Sequence, residues 1–146
     1  VVSVVVEGNR PILVEVQALV VECFGVAPKR VFRGIDFNRG QLMVAVCQKS
    51  LNVPLYKYDV FVTVAGGIKV TDPGLDLAVV AAMYSSYKGK AVNFKQKGLV
   101  FVGEVSLLGG VRKIAYIERR GKEVERLGLE MVKMGDVREL KTVMSN

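Results

Sequence analysis

The residues able to do chemistry form a short set, and its gaps are informative. The 146 residues include no histidine, which removes Ser-His and Cys-His nucleophilic catalysis and most metal-hydrolase chemistry. Two cysteines are present. Cys23 sits in an apolar stretch and Cys47 follows Val44, Ala45 and Val46 in an expected helix. Neither has the paired-ligand spacing of a zinc site, so both read as core thiols. No Gly-x-x-x-x-Gly-Lys-Ser/Thr loop is present to cradle nucleotide phosphates.

What remains is positive charge. The net charge is +7, a balance that favours polyanionic partners, nucleic acid first. The basic residues fall in three groups: Lys29, Arg30, Arg33 and Arg39; then Lys88, Lys90, Lys95 and Lys97; then Arg112, Lys113, Arg119, Arg120 and Lys122. Glu118, Glu123 and Glu125 offset the third group. Pairs such as Glu118 with Lys122 suit a solvated helix face there. Arg112 and Lys113 instead follow a Gly-Gly turn with no acid nearby, and Lys88 and Lys90 lie in a Gly-containing loop. The candidate phosphate contacts are therefore Arg30, Arg33 and Arg39, Lys88 and Lys90, and Arg112 and Lys113. The plainer reading is a basic soluble domain with solvated faces. Tyr84 and Tyr87 precede the lysines, but their helical spacing favours packing over base stacking.

These side chains need a scaffold. Half of the residues are apolar and a quarter charged (51% and 24%), enough for one domain over residues 1–146 with its own core. Val1 to Val6 reads as a strand broken at Glu7-Gly8-Asn9-Arg10-Pro11. Ile12 to Val20 alternates, with Val14, Val16 and Ala18 on one side against Glu15 and Gln17. Arg30 to Ile35 is a third strand, and Asp36 caps a helix over about Asn38 to Leu51 that Asn52-Val53-Pro54 ends. Asp59 to Ala65 is an apolar strand, with Ile68 to Val70 extended beyond Gly66-Gly67. Asp72-Pro73-Gly74 opens a helix over about Leu75 to Tyr87, apolar nearly all round and so central. A short strand Leu99 to Val102 follows. Val105 to Leu107 and Val111 to Ile114 then flank a hairpin turn at Gly109-Gly110. Ile117 to Leu127 is a charged helix stopped by Gly128, Leu129 to Met134 a last strand, and Asp136 caps a final short helix. The order gives an α+β (mixed α/β) fold of sheet and helices.

The longest apolar run, Leu77 to Tyr84, is far short of the roughly 20 residues a bilayer requires. No basic leader is visible, and a cytoplasmic location is expected. The chain enters a strand almost at once and reads as a piece of a longer protein.

Several segments in order resemble the C-terminal domain of the RadA (Sms) DNA-repair family. They are Gly8 to Val20, Arg30 to Arg39, Asp59 to Val70, Asp76-Leu77-Ala78, Gly103 to Leu107, Ile117 to Arg120 and Glu125 to Gly128. No piece is specific alone; the ordered set is. The resemblance implies a Lon-proteolytic-domain-like fold, related to the second domain of ribosomal protein S5. It implies the ring-forming, homo-hexameric C-terminal part of an ATP-driven motor on single-stranded or branched DNA, partnered with a RecA-type recombinase. ATP, magnesium and zinc are implied only for a RecA-type ATPase and a zinc finger that lie outside this chain. The Asn38-Arg39 signature reads as capping plus a salt bridge, or as a subunit or DNA contact.

Lon-type proteases, similar over the central helix and following hairpin, use a serine in Gly-Pro-Ser-Ala-Gly activated by a lysine. The matching segment here is Asp72-Pro73-Gly74-Leu75-Asp76, with Gly74 at the nucleophile position, and gap-free counting from Gly103-Glu104 puts Glu118 at the lysine position. The expectation is a non-proteolytic scaffold and DNA-binding domain. The alternatives are a peptidase with a displaced dyad, drawing on Ser85, Ser86 or Ser106 with Lys113 nearest in sequence, and a purely structural oligomerisation module.

Overall fold

The computed structural model describes residues 1–91 and 98–144. In chain order the elements are β1 (Val2–Glu7), β2 (Arg10–Glu22), β3 (Arg30–Arg33), α1 (Phe37–Leu51), β4 (Tyr58–Val64), α2 (Asp76–Lys88), β5 (Leu99–Val100), β6 (Glu104–Val105), β7 (Val111–Arg112), α3 (Ile117–Arg126), β8 (Glu130–Met131) and α4 (Leu140–Val143). Six strands form one mixed sheet in the order β3-β4-β2-β1-β5-β8, and β6 and β7 form a separate hairpin. The fold is mixed α/β, as the sequence suggests.

β1 and β2 form an antiparallel hairpin with Val4 opposite Leu13. Gly8 turns it at φ 61°, a left-handed conformation that glycine adopts without Cβ strain. β2 runs 13 residues, longer than the alternation alone marks, because β4 takes over as its partner from Val16 to Glu22. β3 pairs parallel to β4, and β5 joins β1 and β8, both in parallel.

Alternation along the strands divides the side chains between two faces. Val5, Val14, Val16, Val20, Val60, Val62 and Val64 point to one face and pack with α1 and α2. α2 is buried nearly all round, from Asp76 to Tyr84. Val4 points to the opposite face, where Val100, Val102 and Val124 of α3 form a second, smaller cluster. α3 therefore covers the β1 end of that face. The β2-β4-β3 end stays open, with Leu19 and Val31 exposed beside Phe61 and Arg33.

Three sequence expectations need correction. The strands expected at Leu99–Val102, Val105–Leu107, Val111–Ile114 and Leu129–Met134 shrink to two residues each: β5 and β8 meet only short remote partners, and β6 and β7 pair only with each other. β3 stops at Arg33; Gly34 turns at φ 85° and its carbonyl accepts from Val70 N–H at 2.7 Å. Cys23 is only half-buried and not a core thiol, since β2 ends past the core edge. Cys47 is fully buried, and burial pushes its thiol up to about 12. Lys95 and Lys97 lie outside the described residues.

α1 approaches β3 through Gly40. A Cβ there would fall 2.6 Å from the Phe32 ring, which is itself set edge-on to Phe37 at 5.7 Å. Gly40→Ala is expected to destabilise by about 1–3 kcal/mol as overpacking does, read as a fall of several degrees in the thermal midpoint. An unchanged midpoint would mean the contact has slack.

Candidate functional site

The segment from Asp72 to Asp76 is a junction. Asp72 accepts from Gly74 N–H and Val6 N–H, both at 2.9 Å. Arg120 of α3 reaches it with both terminal nitrogens, Nη1 to Oδ2 at 2.6 Å and Nη2 to Oδ1 at 3.0 Å. Nη1 also donates to the Val4 carbonyl and Nε to the Ala115 carbonyl, each at 3.0 Å. The Arg120 side chain is only 3% exposed, so this is a buried, bidentate, multiply bonded pair. Burial alone would raise the Asp72 carboxyl, but the bonds from Arg120, Val6 and Gly74 together hold it below the ordinary aspartate value.

Gly74 sits inside this junction. A Cβ there would lie 2.2 Å from Ile114 Cδ1 and 2.8 Å from Arg120 Nη1. Its carbonyl accepts from Gly103 N–H at 2.9 Å, and Leu77 N–H donates back to the Gly103 carbonyl at 3.1 Å. The nucleophile position of the resemblance thus lacks both a side chain and room for one. Glu118 at the lysine position faces solvent. The residue that α3 delivers to Gly74 is Arg120, which the sequence reading left on a solvated basic face. The signal was its spacing: Arg120 and Val124 stand four apart, on one side of the helix. The α3 ion pair is Arg126 with Glu123, and Glu118 and Lys122 form none among the described residues.

At the other end of the segment, Asp76 is buried on the first turn of α2. Arg39 Nε donates to its Oδ1 at 2.6 Å and Nη2 to its Oδ2, while Val105 N–H donates to Oδ2 at 3.0 Å. Burial pushes the Asp76 carboxyl up, with the Arg39 and Val105 bonds opposing and Glu104 adding to the rise. Asp36 accepts from Arg39 N–H as the α1 cap. Of the roles offered for Asn38-Arg39, the salt bridge is made by Arg39, while the helix cap is Asp36.

Arg30 is also committed internally. Its guanidinium donates to the Tyr58 and Leu55 carbonyls. Arg33, Lys88, Lys90, Arg112 and Lys113 are exposed. Lys88 and Lys90 lie at the C-terminal end of α2, where Lys88 Nζ stands over the Tyr84 and Tyr87 rings at 5.7 and 5.9 Å. Arg112 and Lys113 precede Ile114, which packs at Gly74, before the start of that helix. The 13 residues of α2 set the two patches roughly 20 Å apart at 1.5 Å per residue.

The serines considered for a displaced dyad are bonded to backbone. Ser85 donates to the Lys90 carbonyl, Ser86 accepts from Val20 N–H, and Ser106 accepts from Gly110 N–H. No hydrogen bond among the described residues joins a serine hydroxyl to a lysine amine, and none of their His, Cys, Asp and Glu side chains group to hold a metal.

Fold and site together define a basic α/β domain whose helix-start junction is closed by two arginine–aspartate pairs, Arg120–Asp72 buried and Arg39–Asp76 half-buried. Over most of its length the chain is similar to one part of the DNA repair protein RadA of several bacteria. It is 42% identical over 127 residues to the DNA repair protein RadA of Helicobacter pylori J99, covering 87% of this chain and 28% of that relative. It is 43% identical over 129 residues to that of Streptococcus pneumoniae R6, covering 88% and 30%, and 42% identical over 124 residues to that of Bacillus subtilis 168, covering 85% and 26%. The chain thus spans little more than a quarter of the length of these relatives. No family model matches it.

Removing either partner of the Arg120–Asp72 pair strands the other charge, so Arg120→Met and Asp72→Asn should each cost about 3–5 kcal/mol in urea unfolding. Because the folded Asp72 carboxyl is held low, its contribution is complete above the unfolded value near pH 3.9 and disappears as pH falls through the folded value. Asp72→Asn should flatten the stability profile in that acid window; a profile as steep as the parent's would contradict the assignment.

Proposed function

We propose that this chain is a non-proteolytic scaffold and DNA-binding domain of a RadA-type DNA-repair protein, with a Lon-proteolytic-domain-like fold. The observation that carries the DNA reading is what remains after Arg30, Arg39 and Arg120 are withdrawn into internal bonds. Arg33, Lys88, Lys90, Arg112 and Lys113 stay exposed on a chain of net charge +7, free to neutralise phosphates without sequence choice.

In the longer protein this domain would support a homo-hexameric ring, in which weak patches repeated around one axis sum strongly. A RecA-type ATPase and a zinc finger elsewhere would supply ATP, magnesium and zinc chemistry for DNA recombination and branch migration, alongside a RecA-type recombinase in the cytoplasm. No helix among the described residues is long and apolar enough to cross a membrane. The crowding at Gly74 supports the non-proteolytic part of the reading.

Titration of fluorescent DNA at about 50 and 200 mM salt tests the DNA reading, because phosphate contacts make affinity fall steeply with salt. Arg112→Ala with Lys113→Ala should weaken binding and lower the slope of log affinity against log salt by about 2. Absence of binding at low salt would leave a purely structural module. Casein digestion with a serine-directed probe tests the rest: no label is expected, and a labelled serine would establish the displaced-dyad peptidase instead.

A further inference from the structure

A small cleft opens between α1, the start of α2 and residues 68–72, with a volume of about 120 Å³. Met43, Val70, Leu75 and Val79 line it as buried apolar side chains, and Ile35 is half-buried beside them. An apolar cavity needs roughly 150 Å³ to admit a benzene ring. This cleft therefore suits one aliphatic side chain and not an aromatic one.

Its walls are held by bonds that need no ligand. Arg39 grips Asp76 on one side and Arg120 grips Asp72 on another. Residues 68–72 belong to no helix, strand or turn, and Asp72 is extended at φ −66° and ψ 118°. Val70 N–H donates to the Gly34 carbonyl at 2.7 Å. A Cβ on Gly34 would fall 2.8 Å from the Ile68 carbonyl oxygen, so this segment is packed tightly along that edge. Lys69 and Thr71, on either side of Val70, are exposed and make no hydrogen bond among the described residues. In an extended chain, neighbouring residues turn their N–H and C=O groups to opposite sides. Those of Lys69 and Thr71 thus face away from Gly34, and an unpaired backbone edge borders a preformed apolar hole.

These are the two parts of recognition by strand addition, in which main-chain bonds give affinity and a side-chain pocket gives selection. Charge narrows the ligand further. Asp72 and Asp76 are paired with arginines, and Asp36 caps α1. Lys69, at the rim, has no ion-pair partner among the described residues. We propose that the cleft docks an extended peptide segment of a partner protein. The segment pairs with the backbone of Lys69 and Thr71, inserts one aliphatic side chain between Val70 and Leu75, and sets a neighbouring carboxylate on Lys69. This site is independent of the DNA-binding reading, which uses other residues and another class of ligand.

Random heptapeptides displayed on phage and panned against the chain should converge on an aliphatic residue with Asp or Glu within two positions. Convergence on aromatic or basic residues, or no convergence, overturns the proposal. The selected heptapeptide, labelled with fluorescein, is then titrated by anisotropy. Alanine in place of its aliphatic residue should weaken binding about 10- to 100-fold, the worth of burying one such side chain. N-methylation of the adjacent peptide residue removes a main-chain donor and should weaken it about 2- to 10-fold. Lys69→Glu changes an exposed residue, so an unchanged thermal midpoint is its folding control. It should weaken the acidic peptide about 2- to 5-fold and restore affinity for the peptide in which lysine replaces the acid. A selected peptide indifferent to both N-methylation and Lys69→Glu binds elsewhere, and the assignment of this cleft fails.

Discussion

The Arg120–Asp72 pair joins three parts of the chain that otherwise have little reason to meet. α3 is strongly polar, and its apolar hold on the sheet is essentially Val124 against Val4, Val100 and Val102. Arg120 supplements that hold with bonds to the Val4 carbonyl on β1 and to Asp72 before α2. Desolvating two ions costs several kcal/mol each, and the cost is offset only when nearly every donor and acceptor is satisfied. That condition is met: the carboxylate takes four bonds and the guanidinium four. Such a pair is unforgiving of displacement, so it fixes the register of α3 on the sheet and seats Ile114 against Gly74.

The Arg39–Asp76 pair does similar work one helical turn away, tying α1 to α2 and to the β6–β7 hairpin through Val105. The two aspartates thus hold the short segment between them from opposite sides. A functional consequence follows by subtraction. An arginine whose fork grips a buried carboxylate is not available to a phosphate. The usable positive charge therefore lies away from this junction's interior: on the hairpin at Arg112 and Lys113, on the open sheet face at Arg33, and at the far end of α2. Of those far-end lysines, Lys88 lies over the rings of buried Tyr84 and half-buried Tyr87, whereas the β6–β7 hairpin carries exposed Leu107 and Leu108.

Elements decided by local periodicity were legible in the sequence. The alternation of Val14, Val16 and Ala18 marks the buried side of β2, and the nearly continuous apolar character of Leu77 to Met83 marks α2 as central. Elements decided by remote partners were not. Leu99–Val100 and Glu130–Met131 form a ladder only where each meets the other or β1, so apolar flanks such as Val102 and Val132 do not extend the strands. Cys23 follows an apolar run, but Val21 points to the open face of the sheet and Glu22 lies past the buried stretch of β2, so the strand leaves the core before Cys23. Arg120 was the costliest misreading. Charge composition placed it on a solvated face, while its position four residues before Val124 placed it inward; in a helix so poor in apolar residues, spacing was the better guide.

The position to which the Lon-type resemblance assigns a nucleophile, Gly74, is crowded as well as bare. A hydroxyl at Gly74 would have to displace Ile114 and one nitrogen of a bidentate pair. An amine at position 118 would not assist it. That position is solvent-exposed, and an exposed lysine keeps a value near 10.4 and stays protonated at neutral pH; activation as a base requires the desolvation that lowers it. The buried direction on α3 points two residues further on, to Arg120, whose guanidinium is committed to Asp72 and to the Val4 and Ala115 carbonyls. One ion pair and the Ile114 side chain thus fill the space beside Gly74 together, and the geometry that closes the junction is the geometry that crowds it.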